Sequence, residues 1–260
     1  MILTVDIGNT NITFGAYLKE ELRFVARMAT DRLLTSDQYA VQFKQIISLY
    51  ISDKEAYVGA IISSVVPELT GAVKRAIERI AGVEPLVLGP GVKNGLDIKI
   101  DNPAQLGADL VAAAVGAINK YPLPCLVVDL GTASKISVID KGGVYRGCTI
   151  AAGVGISLQA LSSKTSQLPA MAMDSPSSVI GTNSVTSMQS GVIYGTAAMI
   201  DGMCDRIEKA LGSKVESVVA TGGWSVDIIK HCNRTIISDD NLVLHGLYVI
   251  YQKNKAKKYG

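Results

Sequence analysis

The chain begins with an apolar run ending in an acid, ILTVD, and breaks at once into the small, polar turn GNTN. Apolar positions resume beyond it, so Ile2–Asp6 and Ile12–Leu18 read as two strands of one hairpin and Leu22–Met28 as a third. The period then changes. Tyr39, Phe43, Ile46, Ile47 and Tyr50 recur at helical spacing, which predicts a helix from Ser36, taken as its N-cap, to Tyr50. The run YVGAIISSVV predicts a strand, and Pro67 opens the helix PELTGAVKRAIERIAG. Proline suits that place because it lacks the amide hydrogen that a first helical turn leaves unused. EPLVLG reads as a short closing strand.

The second half repeats this order. Leu126–Asp129 and Lys135–Asp140 flank the turn LGTAS, and GGVYRGCTIA supplies a third strand. Helices are expected around 154–163 and 185–211, then the strand VESVVATGG, a short helix near Trp224–Cys232, the strand RTIIS and a last helix from about Asn241. Asp6 and Asp129 stand close to half the chain apart, so the pattern is a duplicated β-β-β-α-β-α unit and not a short-period array. The stretch PGVKNGLDIKIDNP, residues 90–103, is the expected boundary, dividing the chain into 1–100 and 101–260. The expectation is two α/β lobes with a cleft between them.

The repeated turn suggests chemistry. Glycine lets backbone amides approach an anion because no Cβ obstructs them. Gly8, Asn9, Thr10 and Asn11 offer amides and polar side chains in the first copy; Gly131, Thr132, Ala133 and Ser134 do so in the second. Asp6 and Asp129 repel phosphate directly but can hold a hydrated Mg²⁺ or another cation that bridges to it, which is equipment for phosphoryl transfer. A plain hairpin explains one such turn by conformation alone; two at matching places argue for a shared task. Thr221-Gly222-Gly223 follows an apolar strand and precedes a helix, a third candidate, where a nucleoside could lie against bare backbone. No G-x-x-x-x-G-K-[ST] occurs, so a P-loop is unsupported.

DNPAQLGADLVAAAVGAI, residues 101–118, reads as a helix entered through Asn102 and Pro103. Asp109 is its only charge between Pro103 and Ile118 and is expected beyond the first turn, where the helix dipole explains it poorly. It is either a solvated acid on a narrow polar stripe with Gln105, or the group that positions a substrate hydroxyl and takes its proton.

Composition narrows the field. The 260 residues are 48% hydrophobic and 18% charged with net charge +2, as in an ordinary globular protein without a field for nucleic acid. The basic KNKAKKYG end reads as a solvated helix terminus. Four scattered cysteines and two histidines argue against a zinc site or a disulfide framework. No stretch reads as a targeting or membrane-spanning segment, so a cytoplasmic protein with no membrane partner is expected.

In order along the chain, DIGNTN (6–11), ISSVVP (62–67), DNPAQLGAD (101–109), DLGTAS (129–134), TIAAG (149–153), LSSKTSQLP (161–169), SMQSG (187–191) and TGG (221–223) resemble the type III pantothenate kinases. The resemblance implies an α/β fold of two duplicated, ribonuclease-H-like lobes of the actin/hexokinase/Hsp70 type around a central interlobe cleft. It implies ATP-dependent phosphorylation of pantothenate to 4′-phosphopantothenate, which opens coenzyme A biosynthesis. Mg²⁺, a monovalent cation (K⁺ or NH₄⁺) and a homodimer completing the substrate site are implied with it. By position, Asp6, Asn9 and Thr10 would line the first phosphate turn, and Gly131 and Thr132 the second. Asp129 would hold the monovalent cation and Asp109 would be the base. Gly107, Ala108, Asp109, Leu110 and Ser184 would meet the substrate, and Thr221, Gly222 and Gly223 the nucleoside.

The departures gather on the substrate side. Leu110 stands where the family has an arginine, and a leucine donates no hydrogen bond to a carboxylate. Cys148 and Ala152 replace a glycine and a proline, Thr182 a lysine, and Ser184 and Ser134 threonines. Lys135, Arg146 or Lys164 could replace the lost cation, although each also reads as a surface charge. The alternative is a divergent member with another acceptor, or without kinase activity, acting like a Bvg-accessory-type transcriptional factor. No helix-turn-helix signature or basic face supports the latter.

Overall fold

The computed structural model describes residues 1–51, 56–164, 176 and 178–255. The first hairpin and its neighbour are β1 (Ile2–Ile7), β2 (Asn11–Leu18) and β3 (Glu21–Ala29), followed by α1 (Ser36–Ile47), β4 (Gly59–Ser64), α2 (Pro67–Ala81) and β5 (Leu86–Val87). Next come β6 (Asp97–Ile98), a 3₁₀ turn (Pro103–Gln105) and α3 (Ala108–Lys120). The second series is β7 (Cys125–Leu130), β8 (Ala133–Ile139), β9 (Val144–Ala152), α4 (Val154–Lys164), α5 (Ser184–Leu211), β10 (Ser217–Thr221), α6 (Ser225–Ile229), β11 (Ile237–Ser238) and α7 (Leu242–Lys255).

Two sheets carry the duplication. The first is ordered β3-β2-β1-β4-β5 and the second β11-β10-β7-β8-β9-β6. Apart from β6, the second is the first written backwards. In each, two antiparallel strands lead to a central strand, itself antiparallel to its neighbour, that pairs in parallel with the fourth, β1 with β4 and β7 with β10. The fold is mixed α/β of the actin/hexokinase type.

The compact units interleave along the sequence. One comprises Met1–Leu96, Asp101–Asn119 and the stretch from Asn241; the other comprises Asp97–Ile100 and the described residues of Lys120–Asp240. The linear boundary near residue 100 therefore passes between β6, which pairs with β9, and α3, which packs in the first unit. In the first unit Leu3, Val5, Ile7 and Phe14 pack with Tyr39 and Phe43 of α1 and Leu69, Val73 and Ile77 of α2. On the other face Tyr17 stacks on Tyr248 of α7 at 4.4 Å. Helices α3 and α7 approach backbone to backbone there, because a Cβ on Gly116 or Gly246 would strike the facing chain. In the second unit Leu126, Val128 and Leu130 pack with Val192, Ile193 and Ile200 of α5.

Three local expectations change. Thr35, not Ser36, caps α1: its Oγ1 accepts from Gln38 N while Gln38 Oε1 accepts from Thr35 N at 2.9 Å, a reciprocal box that Ser36 cannot make. The helix ends at Ile47, and Tyr50 stacks on Phe24 with ring centroids 5.2 Å apart. The helix expected over 103–118 breaks at Leu106, whose extended backbone separates the 3₁₀ turn from α3. Asp109 is consequently a first-turn residue.

Candidate active site

In the first unit the turn, Asp6 and Asp109 belong to one end of the sheet. Asp6 is the penultimate residue of the central strand, beside Ser63 of β4 and Thr13 of β2. Val65 N, just past β4, donates to Ile7 O at 3.0 Å. A Cβ on Gly107 would lie 3.8 Å from Val65 Cγ1, so the start of α3 packs on this strand end. Asp109 Oδ1 folds back over Gly107, where a Cβ would lie 2.5 Å from it, and accepts from Leu110 N at 2.8 Å. Unsatisfied amides and the positive end of the dipole stabilise an acid at that place. A helix begun at Pro103 would place Asp109 beyond that support; with α3 starting at Ala108, Asp109 lies in the first turn and has it. Ala108 is half-buried and Leu110 is buried.

The first turn spends part of its donor set on itself. Gly8 N donates to Asn11 O at 3.0 Å, closing the hairpin, so its amide differs from the free donor expected. Thr30 Oγ1 donates to Gly8 O at 2.7 Å and Thr30 N to Thr10 O at 2.9 Å. Asn9, Thr10 and Asn11 are exposed. Arg32 Nη2 donates to Asn9 Oδ1 at 3.1 Å, placing a guanidinium against the turn that sequence reading missed. The β2–β3 ladder places it there: Asn11 pairs with Ala29, which delivers the residues after β3 to the turn.

The second unit gathers Asp129, Thr221 and Lys135. Thr221 and Lys135 are the register partners of Asp129 on its two sides, so alternation puts all three on the face away from Leu126, Val128 and Leu130. Lys135 Nζ lies 2.9 Å from Asp129 Oδ2. Ser134, expected to offer its hydroxyl to phosphate, pairs with Leu130, is buried, and lies on the core face opposite Asp129. Thr132 is exposed and Gly131 half-buried. Gly222 has φ +97°, and a Cβ there would come 2.6–2.8 Å from the backbone of Leu130, so glycine is needed for packing at that position. Gly223 is exposed, and a Cβ there would meet nothing within 4 Å, leaving its backbone open to a ligand.

The model of the type III pantothenate kinase family matches residues 2–206. The chain belongs to this family. Solved structures share its fold at low identity. A Campylobacter jejuni protein described as a Baf family transcriptional activator is 19% identical with a TM-score of 0.61, covering 98% of this chain and 99% of its own. An activator of 2-hydroxyisocaproyl-CoA dehydratase from Clostridium difficile, with bound ADPNP, is 15% identical with a TM-score of 0.56, covering 100% and 97%. A ROK family glucokinase from Streptomyces griseus, in complex with glucose and AMPPNP, is 14% identical with a TM-score of 0.50, covering 97% and 98%.

The remaining expected residues of this family member belong to the second unit. Ser184 is exposed at the start of α5, next to its N-cap Asn183. Arg146 pairs with Asp140 at 3.7 Å and is half exposed, so it is a surface charge. The side chain of Lys164, and most of the LSSKTSQLP motif, lie outside the described residues. Burial pushes the thiols of Cys204 and Cys232 up to about 11 and about 12, which keeps both protonated and poorly nucleophilic at neutral pH. Among the described residues no helix is long and apolar enough to cross a membrane.

The two acids differ in fitness for a cation. Beside Asp6, Ser63 Oγ is buried with no hydrogen-bond partner among the described residues. One carboxylate with a neighbouring hydroxyl suits Mg²⁺, which keeps several waters and takes its other oxygens from substrate phosphates. No group of three or more His, Cys, Asp or Glu side chains among the described residues builds an all-protein cage. At Asp129 the Lys135 ammonium already stands where a monovalent cation would be expected.

Proposed function

We propose that the protein transfers the γ-phosphoryl group of ATP to the primary hydroxyl of pantothenate, giving 4′-phosphopantothenate and ADP. The observation that carries this reading is the Asp109 carboxylate, held at the start of α3 and packed through Gly107 and Val65 on the strand end that carries Asp6. The hydroxyl oxygen attacks the γ-phosphorus, the bond to the β–γ bridging oxygen breaks, and that oxygen leaves on ADP. Asp109 aligns the hydroxyl and accepts its proton. Asn9, Thr10 and Asn11 of the first turn, with Arg32 behind Asn9, and Gly131 and Thr132 of the second bind phosphate oxygens. Asp6 would hold Mg²⁺, which neutralises charge on those oxygens. The exposed Gly223 backbone meets the nucleoside.

Incubation of the full chain with ATP, Mg²⁺ and pantothenate tests the reading directly, with 4′-phosphopantothenate as the expected product. Asp109→Asn should lower kcat by about 10²–10⁴-fold with nucleotide affinity retained; an unchanged kcat removes Asp109 from the mechanism. A specific observation favours a second acceptor. The buried Leu110 offers the pantothenate carboxylate no cation, so ATP binding without phosphorylation of pantothenate would favour a different hydroxyl compound. DNA binding without nucleotide binding would favour the transcriptional reading.

A further inference from the structure

The implied monovalent cation and the residues present at the second turn do not fit each other. Asp129 and Lys135 are opposite one another in the β7–β8 ladder, on one face, so the backbone pairing itself delivers the lysine to the acid. Nζ is 2.9 Å from Oδ2, and the two side chains are only 17% and 22% exposed. The other carboxylate oxygen, Oδ1, lies toward the turn: a Cβ on Gly131 would stand 3.2 Å from it. The pair is therefore continuous with the turn assigned above to phosphate. In the first unit the matching ladder position opposite Asp6 is Thr13, which is neutral.

An ammonium and a hydrated-shell-free K⁺ or NH₄⁺ carry the same single charge and offer a carboxylate the same partner. A free monocation entering at Asp129 would meet an ammonium already on that carboxylate, like charge against like in a partly desolvated place. Tethering also removes the cost of capturing a free ion from solution. We infer that the Lys135 ammonium is a built-in monovalent cation of the second turn, so that nucleotide binding needs neither K⁺ nor NH₄⁺. The inference rests on the reading of this turn as a phosphate site and goes beyond it by removing a cofactor the family resemblance implies.

Calorimetric titration of the full chain with Mg²⁺ and a non-hydrolysable ATP analogue tests it, comparing KCl with tetramethylammonium chloride at equal ionic strength. The expected Kd is the same in both salts within about twofold, whereas Lys135→Thr should weaken binding by roughly tenfold in tetramethylammonium and recover in KCl. Thermal unfolding without nucleotide is the second readout: K⁺ should raise the midpoint of Lys135→Thr and leave the unsubstituted chain unmoved. If Lys135→Thr does not fold, the unsubstituted chain still decides the matter. Nucleotide binding by that chain that requires K⁺ overturns the inference and leaves the phosphate reading standing. Absence of nucleotide binding in both salts overturns both.

Discussion

Asp6 and Asp129 are the penultimate residues of the central strands of two sheets with the same strand order, and each has a hydroxyl, Ser63 or Thr221, as its parallel-strand partner. Across the antiparallel ladder they part: Asp6 faces Thr13 and Asp129 faces Lys135. One residue past the parallel strand's hydroxyl the halves differ again. Ser64 uses its hydroxyl to cap the turn into α2, accepting from Val66 N at 3.2 Å, whereas Gly222 presses bare backbone onto Leu130. Duplication preserves a backbone more easily than its electrostatics, because the ladder tolerates any side chain of suitable size on an open face.

The widest gap between the halves should appear at those junction residues. Gly222→Ala forces a Cβ into backbone at an unfavourable positive φ and should cost about 3–4 kcal/mol by urea denaturation. Its first-half counterpart, Ser64→Ala, gives up local hydrogen bonds and should cost about 1 kcal/mol. Equal losses would mean the two junctions are packed alike.

The acids come next. Asp129→Asn strands a mostly buried ammonium and should destabilise by about 2–3 kcal/mol, much of it restored in the Asp129→Asn/Lys135→Gln double variant. Asp6→Asn should change stability by less than about 1 kcal/mol. A similar loss at both positions would erase the electrostatic distinction.

A third contrast lies in the ion pairs. Glu208 is 6% exposed and accepts from Arg234 and Lys214, and the Arg234 hydrogen bonds hold its carboxyl down to about 2. A carboxyl lowered in the folded state contributes stability fully present above its unfolded value near 4.5 and lost as pH falls toward 2. Glu208→Gln should therefore cost on the order of 2 kcal/mol at neutral pH and flatten the acid limb of the stability profile. In the first half the exposed Asp37–Arg79 pair should contribute less than about 0.5 kcal/mol, read as the change in Asp37→Asn. At the helix caps the contrast should vanish. Thr35→Ala and Asn183→Ala each break a capping box and should each cost about 1 kcal/mol.

Much of this was legible beforehand because it is local. The apolar runs ILTVD and CLVVD, the helical spacing of Tyr39, Phe43 and Ile47, and Pro67 at a helix start depend on near neighbours, and the structure agrees with them. The same reading failed where two local signals competed, as at Pro103–Gly107, where proline opened only a single 3₁₀ turn before α3 began. It also missed Arg32 and the short β6, whose places depend on pairing with distant chain.

By itself the sequence determined the repeated strand order, the family and the residue types at both turns, since periodicity and motif are properties of adjacent positions. Pairing and packing in the folded chain close the hairpin through Gly8, turn Ser134 to the core and rest Lys135 on Asp129. Those outcomes follow from ladder register and from which face of a sheet is covered, and both are settled by contacts between residues that no local pattern links.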